Sequence, residues 1–354
     1  MKKYLLTLSI ISILLSCREE ISLDFPPTPE RLVVQGSIET GIPPYIMLTR
    51  NQGYFESIDS NTYNNLFIDE ADIKVFKISN NQIIDSIILN LVENIDLNGI
   101  PIFTDLNYID EILNGNLSPN YNFSEEGYRY NLEIIWNGNL ITSTTTIPFS
   151  TQLDSIWIEK TDQTNDKEYR CEIKGYLSDP DTLGNNYLLR SKRLEHWIIK
   201  DSVESILPTL KNNSDFSLLL VDVGPDILIN GESFETFFPR PGQQGSFPNG
   251  NYNTFRYKNY NDSTTNGKDS ILIPEDFVLI KYCQVDQVGM RFWRGVVRNS
   301  TSGGNPFSEP MNLSSNINGG MGIWTGYGTS YYKIPVKLDT TITNTIIPNI
   351  FDVF

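Results

Sequence analysis

From Arg31 to Thr146 the apolar residues fall in short alternating runs separated by turn residues. A period of two puts one face of a segment in a core and the other in water, the pattern of a half-buried strand. Arg31-Leu32-Val33-Val34-Gln35-Gly36-Ser37-Ile38 leads through Gly41-Ile42-Pro43-Pro44 into Tyr45-Ile46-Met47-Leu48-Thr49. Asp72–Ile78 leads through Asn80-Asn81 into Ile83–Leu91, and Glu126–Ile134 leads through Asn137-Gly138 into Leu140–Thr146. Asn-Gly between two alternating runs is a strong hairpin signal, because both positions of the favoured turn need positive φ. Strands at this spacing predict a first β-sandwich of immunoglobulin or transthyretin type over residues 31–150.

The second half predicts a further β-rich domain over residues 151–354. Its strand signals are Asp154–Ile158, Tyr169–Ile173, the long alternation from Asn186 to Ile199, Phe277–Cys283 and the glycine-rich aromatic block from Gly319 to Pro335. One segment has a different period: Val285, Val288, Phe292 and Val296 recur at helical spacing, with Gly289, Trp293 and Val297 beside them. This predicts one amphipathic helix over about 285–299, packed across a sheet. The fold class expected is therefore all-β, with two β-sandwich domains. Alanine is nearly absent and aromatics reach 12%, which favours strands over helices.

The N-terminus sets location. Lys2 and Lys3 precede an apolar run from Leu5 to Leu15, a layout of a secretory signal peptide too short to span a bilayer. Leu14-Leu15-Ser16-Cys17 resembles a bacterial lipobox, so residues 1–16 are expected to be removed and Cys17 to carry the lipid. Two or three acyl chains anchor a protein far more firmly than one. Residues 17–30, with Pro26, Pro27 and Pro29, read as an extended tether. With 27 basic and 43 acidic residues the formal charge is -16, which argues against nucleic acid as a partner and against electrostatic attachment to anionic lipid.

Candidates for chemistry are few. His196 is the single histidine, so a Ser-His-Asp triad would have to be built on it, and no multi-histidine metal site can form. No cofactor is expected. Asp179-Pro180-Asp181-Thr182-Leu183-Gly184-Asn185 spaces oxygen ligands like a calcium loop but lacks the usual closing acidic residue, and the same residues make an ordinary turn. Cys171 and Cys283 lie on expected strands and are either bridged or two separate buried thiols. Trp324, Tyr327, Tyr331 and Tyr332, set among glycines, are either a platform for a sugar ring or peptide, or core. A carboxylate-dependent hydrolase is a weaker alternative, since nothing in the spacing sets two carboxylates at catalytic separation.

The lipobox, Arg31-Leu32-Val33-Val34-Gln35-Gly36, Ile147-Pro148 before Asp154-Ser155-Ile156, the helix around Phe292-Trp293, and Asn305-Pro306-Phe307 leading to Asn316-Ile317-Asn318-Gly319-Gly320-Met321-Gly322-Ile323-Trp324 together resemble the DUF4249 family. The resemblance implies an outer-membrane lipoprotein of Bacteroidota, commonly encoded beside a TonB-dependent transporter, with no catalytic residues to carry over. Arg18-Glu19-Glu20 resembles the acidic signal that sends lipoproteins of this phylum to the outer leaflet. Ser86, Ser155, Thr182, Ser202, Ser263, Ser270 and Thr340 each follow an aspartate in a pattern similar to the phylum's O-glycosylation acceptor. The function expected is non-enzymatic: an accessory or ligand-delivery partner of such a transporter, or a stand-alone carbohydrate- or peptide-binding surface module.

Overall fold

The computed structural model describes residues 29–52, 65–92, 100–116, 119, 121–165, 168–199, 209–210, 218–238, 254–258, 264–265, 271–302, 313–335, 340–348 and 353. The described strands are, in chain order, β1 (Leu32–Glu39), β2 (Ile42–Arg50), β3 (Asp72–Ser79), β4 (Gln82–Leu91), β5 (Phe103–Thr104), β6 (Arg129–Trp136), β7 (Asn139–Thr146), β8 (Ser155–Asn165) and β9 (Glu168–Ser178). They continue with β10 (Asn186–Ile199), β11 (Thr209–Leu210), β12 (Leu219–Pro225), β13 (Ser233–Phe237), β14 (Thr254–Lys258), β15 (Thr264–Thr265), β16 (Ile271–Val285), β17 (Met321–Pro335) and β18 (Thr341–Ile342). Two helices among the described residues accompany them, α1 (Leu106–Leu113) and α2 (Gln287–Ser302).

The hairpins close as their sequences require. Asn80 and Asn81 have φ of 49° and 61° between β3 and β4, and Asn137 and Gly138 have φ of 49° and 75° between β6 and β7. Positive φ at both central residues matches the right-handed twist of the flanking strands. The turn between β1 and β2 sits at Thr40-Gly41, with Gly41 at φ 79°, so Pro43 and Pro44 belong to the strand. Helix α1 has no counterpart in the sequence reading. Asp105 caps it by accepting from the Asn107 N–H, and Tyr108, Ile109 and Ile112 bury its inner face.

One large sheet runs through both halves of the chain, in the order β11-β10-β16-β17-β1-β2-β5-β4-β3-β6-β7, with β12 on β10 and β15 on β16. A smaller sheet has the order β13-β9-β8-β18, with β14 on β9. The central join is parallel: β1 pairs with β17 from Val33↔Met321 to Glu39↔Tyr327. The N-terminal strands form a sandwich whose last strand comes back to the same region, with Thr142 bridged to Asn318 and the Gly326 N–H donating to the Thr145 hydroxyl at 2.8 Å. Its core of Val34, Ile46, Leu48, Val75, Leu132 and neighbours also takes Ile317 and Trp324. Strand β17 links this core to the next, contributing Trp324 to the first and Tyr332 and Ile334 to the second.

The smaller sheet packs on β10, β16 and β17 through Ile156, Ile158, Ile173, Val278, Ile280, Tyr332 and Ile334, a second sandwich. On the opposite face, α2 lays Met290, Phe292 and Trp293 over Leu188, Cys283, Ile323 and Tyr327. Gly289 permits that approach: a Cβ there would sit 2.5 Å from the Thr325 methyl and 2.7 Å from Val285. The helix and the all-β class thus appear as the residue periods predict. Among the described residues no helix is long and apolar enough to cross a membrane.

Candidate functional site

Among the described residues, a cleft of about 720 Å³ opens at the N-terminal end of α2. Three segments wall it: Leu183–Asn186 leading into β10, Pro225–Ile227 leading out of β12, and Gln284–Gln287 with Met290, Arg291 and Arg294 where β16 passes into α2, with Pro148 alongside. This volume is in the range of small-ligand sites. Leu183 and Ile227 stand 69% and 68% exposed at the rim.

Local chemistry holds the walls together. Asp226 is buried, and its carboxylate accepts the backbone N–H groups of Gly184 and Asn185 at 3.1–3.2 Å, while its own N–H donates to the Asn185 carbonyl at 3.0 Å. Gly184 can present its N–H there because it adopts φ 112°. Buried Asn186 donates from its side chain to the carbonyls of Gly184 and Val285, tying the first wall to the third. Asp286 accepts from the Gly289 N–H at 2.7 Å and the Thr145 hydroxyl at 3.1 Å. Burial raises its carboxyl above the ordinary range, and those two donors pull it partly back. Both wall carboxylates are therefore engaged inwards. Arg291 and Arg294, one helical turn apart, form no ion pair with any described residue. Gln284, 2% exposed, donates to the Thr151 hydroxyl at 3.1 Å, and its carbonyl oxygen has no hydrogen-bond partner among the described residues.

A second polar group lies wholly inside. Lys281 on β16 bonds Glu39 on β1 at 2.7 Å, both buried, and the carboxylate also accepts from the Tyr45 and Tyr331 hydroxyls at 2.9 and 2.7 Å. Lys281 sits 4.6 Å from the Tyr327 ring centre. Burial alone would raise the Glu39 carboxyl; the Lys281 charge and these hydrogen bonds outweigh it and hold the carboxyl below its usual value. Burial and then the Glu39 charge push Tyr45 and Tyr331 well up. This network joins strands 242 positions apart in sequence and is closed to solvent, which fits a structural role.

A family model described as a domain of unknown function, DUF4249, matches residues 18–333. The chain belongs to the DUF4249 family. Comparison with curated proteins finds no match. Among solved structures, a crystal structure of Salmonella alpha-2-macroglobulin reacted with methylamine aligns at 10% identity and a TM-score of 0.20. The alignment covers 77% of this chain and 15% of that one, and a likeness this low carries no argument.

In this DUF4249 chain the glycine-rich block is core, not a platform. Trp324, Tyr327 and Tyr331 are 0%, 2% and 3% exposed, and Tyr332 is buried with them. Glycine explains the tight fit. A Cβ on Gly36 would meet the Trp324 ring at 2.7 Å, and Cβ atoms on Gly326 and Gly328 would run into the backbone carbonyls of Thr146 and Pro148. Trp293 donates to the Tyr327 hydroxyl at 2.7 Å, so even the polar ends of the rings are used internally.

The bridge between Cys171 and Cys283 is not formed. Cys283 is a free, buried thiol that donates to the Leu188 carbonyl at 3.3 Å, and burial pushes its pKa up to about 12. Cys171 lies on β9 in the other sheet, paired with Phe255 and Lys160, and its side chain is outside the described residues. Backbone pairing sets His196 in β10 opposite Glu275 and Leu210; its side chain is likewise outside them. Asp179–Asn185 is a turn closed by the Thr182 N–H on the Pro180 carbonyl, with Asp181 accepting from Asn230 at 3.2 Å. Among the described residues there is no group of three or more metal-ligating side chains.

Of the acceptor-pattern residues, Ser86 on β4 and Thr182 in that turn are exposed, and Ser155 and Thr340 are half-buried. Cys17, Ser202, Ser263 and Ser270 lie outside the described residues. The cleft itself was missed in sequence because its walls come from three separated segments. The available signal was the pair of arginines on the face of α2 that the valines and aromatics leave to solvent.

Proposed function

We propose that this DUF4249 protein is an outer-membrane lipoprotein, anchored through Cys17 and facing outwards, that serves a TonB-dependent transporter as an accessory or ligand-delivery partner. The observation that carries this reading is the Leu14-Leu15-Ser16-Cys17 lipobox, followed directly by Arg18-Glu19-Glu20 and a proline-containing tether up to residue 30. The net charge of -16 leaves the lipid as the means of attachment. Family membership supports the transporter, since these lipoproteins are commonly encoded beside one. Gentle detergent pull-down from native membranes tests it: co-recovery of a TonB-dependent transporter is expected, and recovery of the lipoprotein alone contradicts the reading. Protease shaving of intact cells tests the orientation, with cleavage expected and full protection placing the chain on the periplasmic side.

The second reading, a stand-alone binding module for a carbohydrate or peptide, is favoured by the cleft. Such a module would bind ligand in isolation. A hydrolase would need two carboxylates facing each other in an open site, and the two carboxylates at the cleft, Asp226 and Asp286, are each engaged by backbone N–H groups.

A further inference from the structure

We infer that the cleft beside α2 binds a small ligand with an apolar body and a carboxylate, a chemistry shared by the C-terminal end of an apolar peptide and by an acyl chain. The inference rests on reading the chain as a ligand binder, and it holds for a delivery partner and a stand-alone module alike. Two observations define the ligand. Leu183, Ile227 and Met290 offer an apolar wall, two of them at an exposed rim, so the ligand has an apolar body.

Arg291 and Arg294 border the same cleft without an ion pair to any described residue, in a chain with a large excess of carboxylates. Guanidinium groups in this situation suit a carboxylate, which accepts two parallel N–H bonds from a planar fork. The wall carboxylates do not compete for them, because Asp226 and Asp286 are held by the N–H groups of Gly184, Asn185 and Gly289.

Isothermal titration of the full mature chain, made with Cys17→Ser so that no lipid is attached, tests this with three probes: Leu-Leu-Leu with a free carboxylate, the same tripeptide as its C-terminal amide, and octanoate. The free acid is expected to bind, with the amide weaker by about tenfold or more, and octanoate separates the two sources: binding tighter than the tripeptide points to an acyl chain, weaker to a peptide terminus. The Arg291→Gln, Arg294→Gln double variant is expected to bind the free acid as weakly as the wild type binds the amide, at an unchanged melting temperature. Absence of heat with all three probes, equal affinity for acid and amide, or a double variant that binds like wild type would overturn the inference. In a native-membrane pull-down the double variant is expected to keep any transporter that the wild type recovers. Peptide binding without transporter recovery would leave the cleft standing and remove the delivery role.

Discussion

Strand β17 and the cleft at the start of α2 lie on neighbouring parts of one sheet, yet their side chains have opposite fates. The strand carries Trp324, Tyr327, Tyr331 and Tyr332, residue types that recur in binding sites, and every one is buried. The cleft carries leucine, isoleucine, methionine and two arginines, residue types with no individual signature, and it is open. The difference comes from glycine. Gly36, Gly326 and Gly328 let backbones approach closely enough to seal the rings in, whereas Gly184 only turns a loop so that its N–H reaches Asp226.

The largest effect expected from breaking this contrast is on the strand side. Trp324→Ala should destabilise by about 3–5 kcal/mol, read by thermal or urea unfolding, because a fully buried tryptophan leaves a cavity. Gly326→Val should be comparably severe, since any Cβ there collides with the Thr146 carbonyl rather than with a side chain that can move.

Next comes the buried pair. Lys281→Met alone leaves Glu39 uncompensated and should cost about 3–5 kcal/mol, while Lys281→Met with Glu39→Leu should recover most of it. The pair also predicts the acid limb of stability. The folded-state pKa of Glu39 lies below its unfolded value, so its contribution is present above the ordinary carboxylate range and is lost as pH falls through the lowered folded value. The Glu39→Leu, Lys281→Met variant should therefore lose less stability than wild type on acidification, as followed by unfolding titrations at stepped pH. A smaller effect is expected at the cleft wall: Asp226→Ala frees the Gly184 and Asn185 N–H groups and should cost about 1–3 kcal/mol.

Local order was legible in the chain. The alternating runs, the Asn80-Asn81 and Asn137-Gly138 turns and the helical spacing from Val288 to Val296 map onto strands, hairpins and α2, Val285 ends β16 instead, and β10 spans Asn186 to Ile199 as its alternation predicts. Helix α1 was hidden because eight residues hold only two turns of periodicity, and its cap is the single Asp105. The parallel join of β1 to β17 was hidden for a different reason. Pairing between residues so distant depends on which faces and glycines match in space, and no local pattern records it. The same reasoning explains the site: alternation shows that a ring alternates faces, but not whether the outer face will be covered.

The most direct test of the contrast is to measure unfolding free energy and affinity for the free-acid tripeptide in parallel, on wild type, Trp324→Phe and the Arg291→Gln, Arg294→Gln variant. The account predicts that Trp324→Phe loses stability and keeps its affinity, and that the arginine variant keeps stability within about 0.5 kcal/mol and loses affinity about tenfold. Loss of affinity in Trp324→Phe at unchanged stability, with the arginine variant binding like wild type, would contradict it.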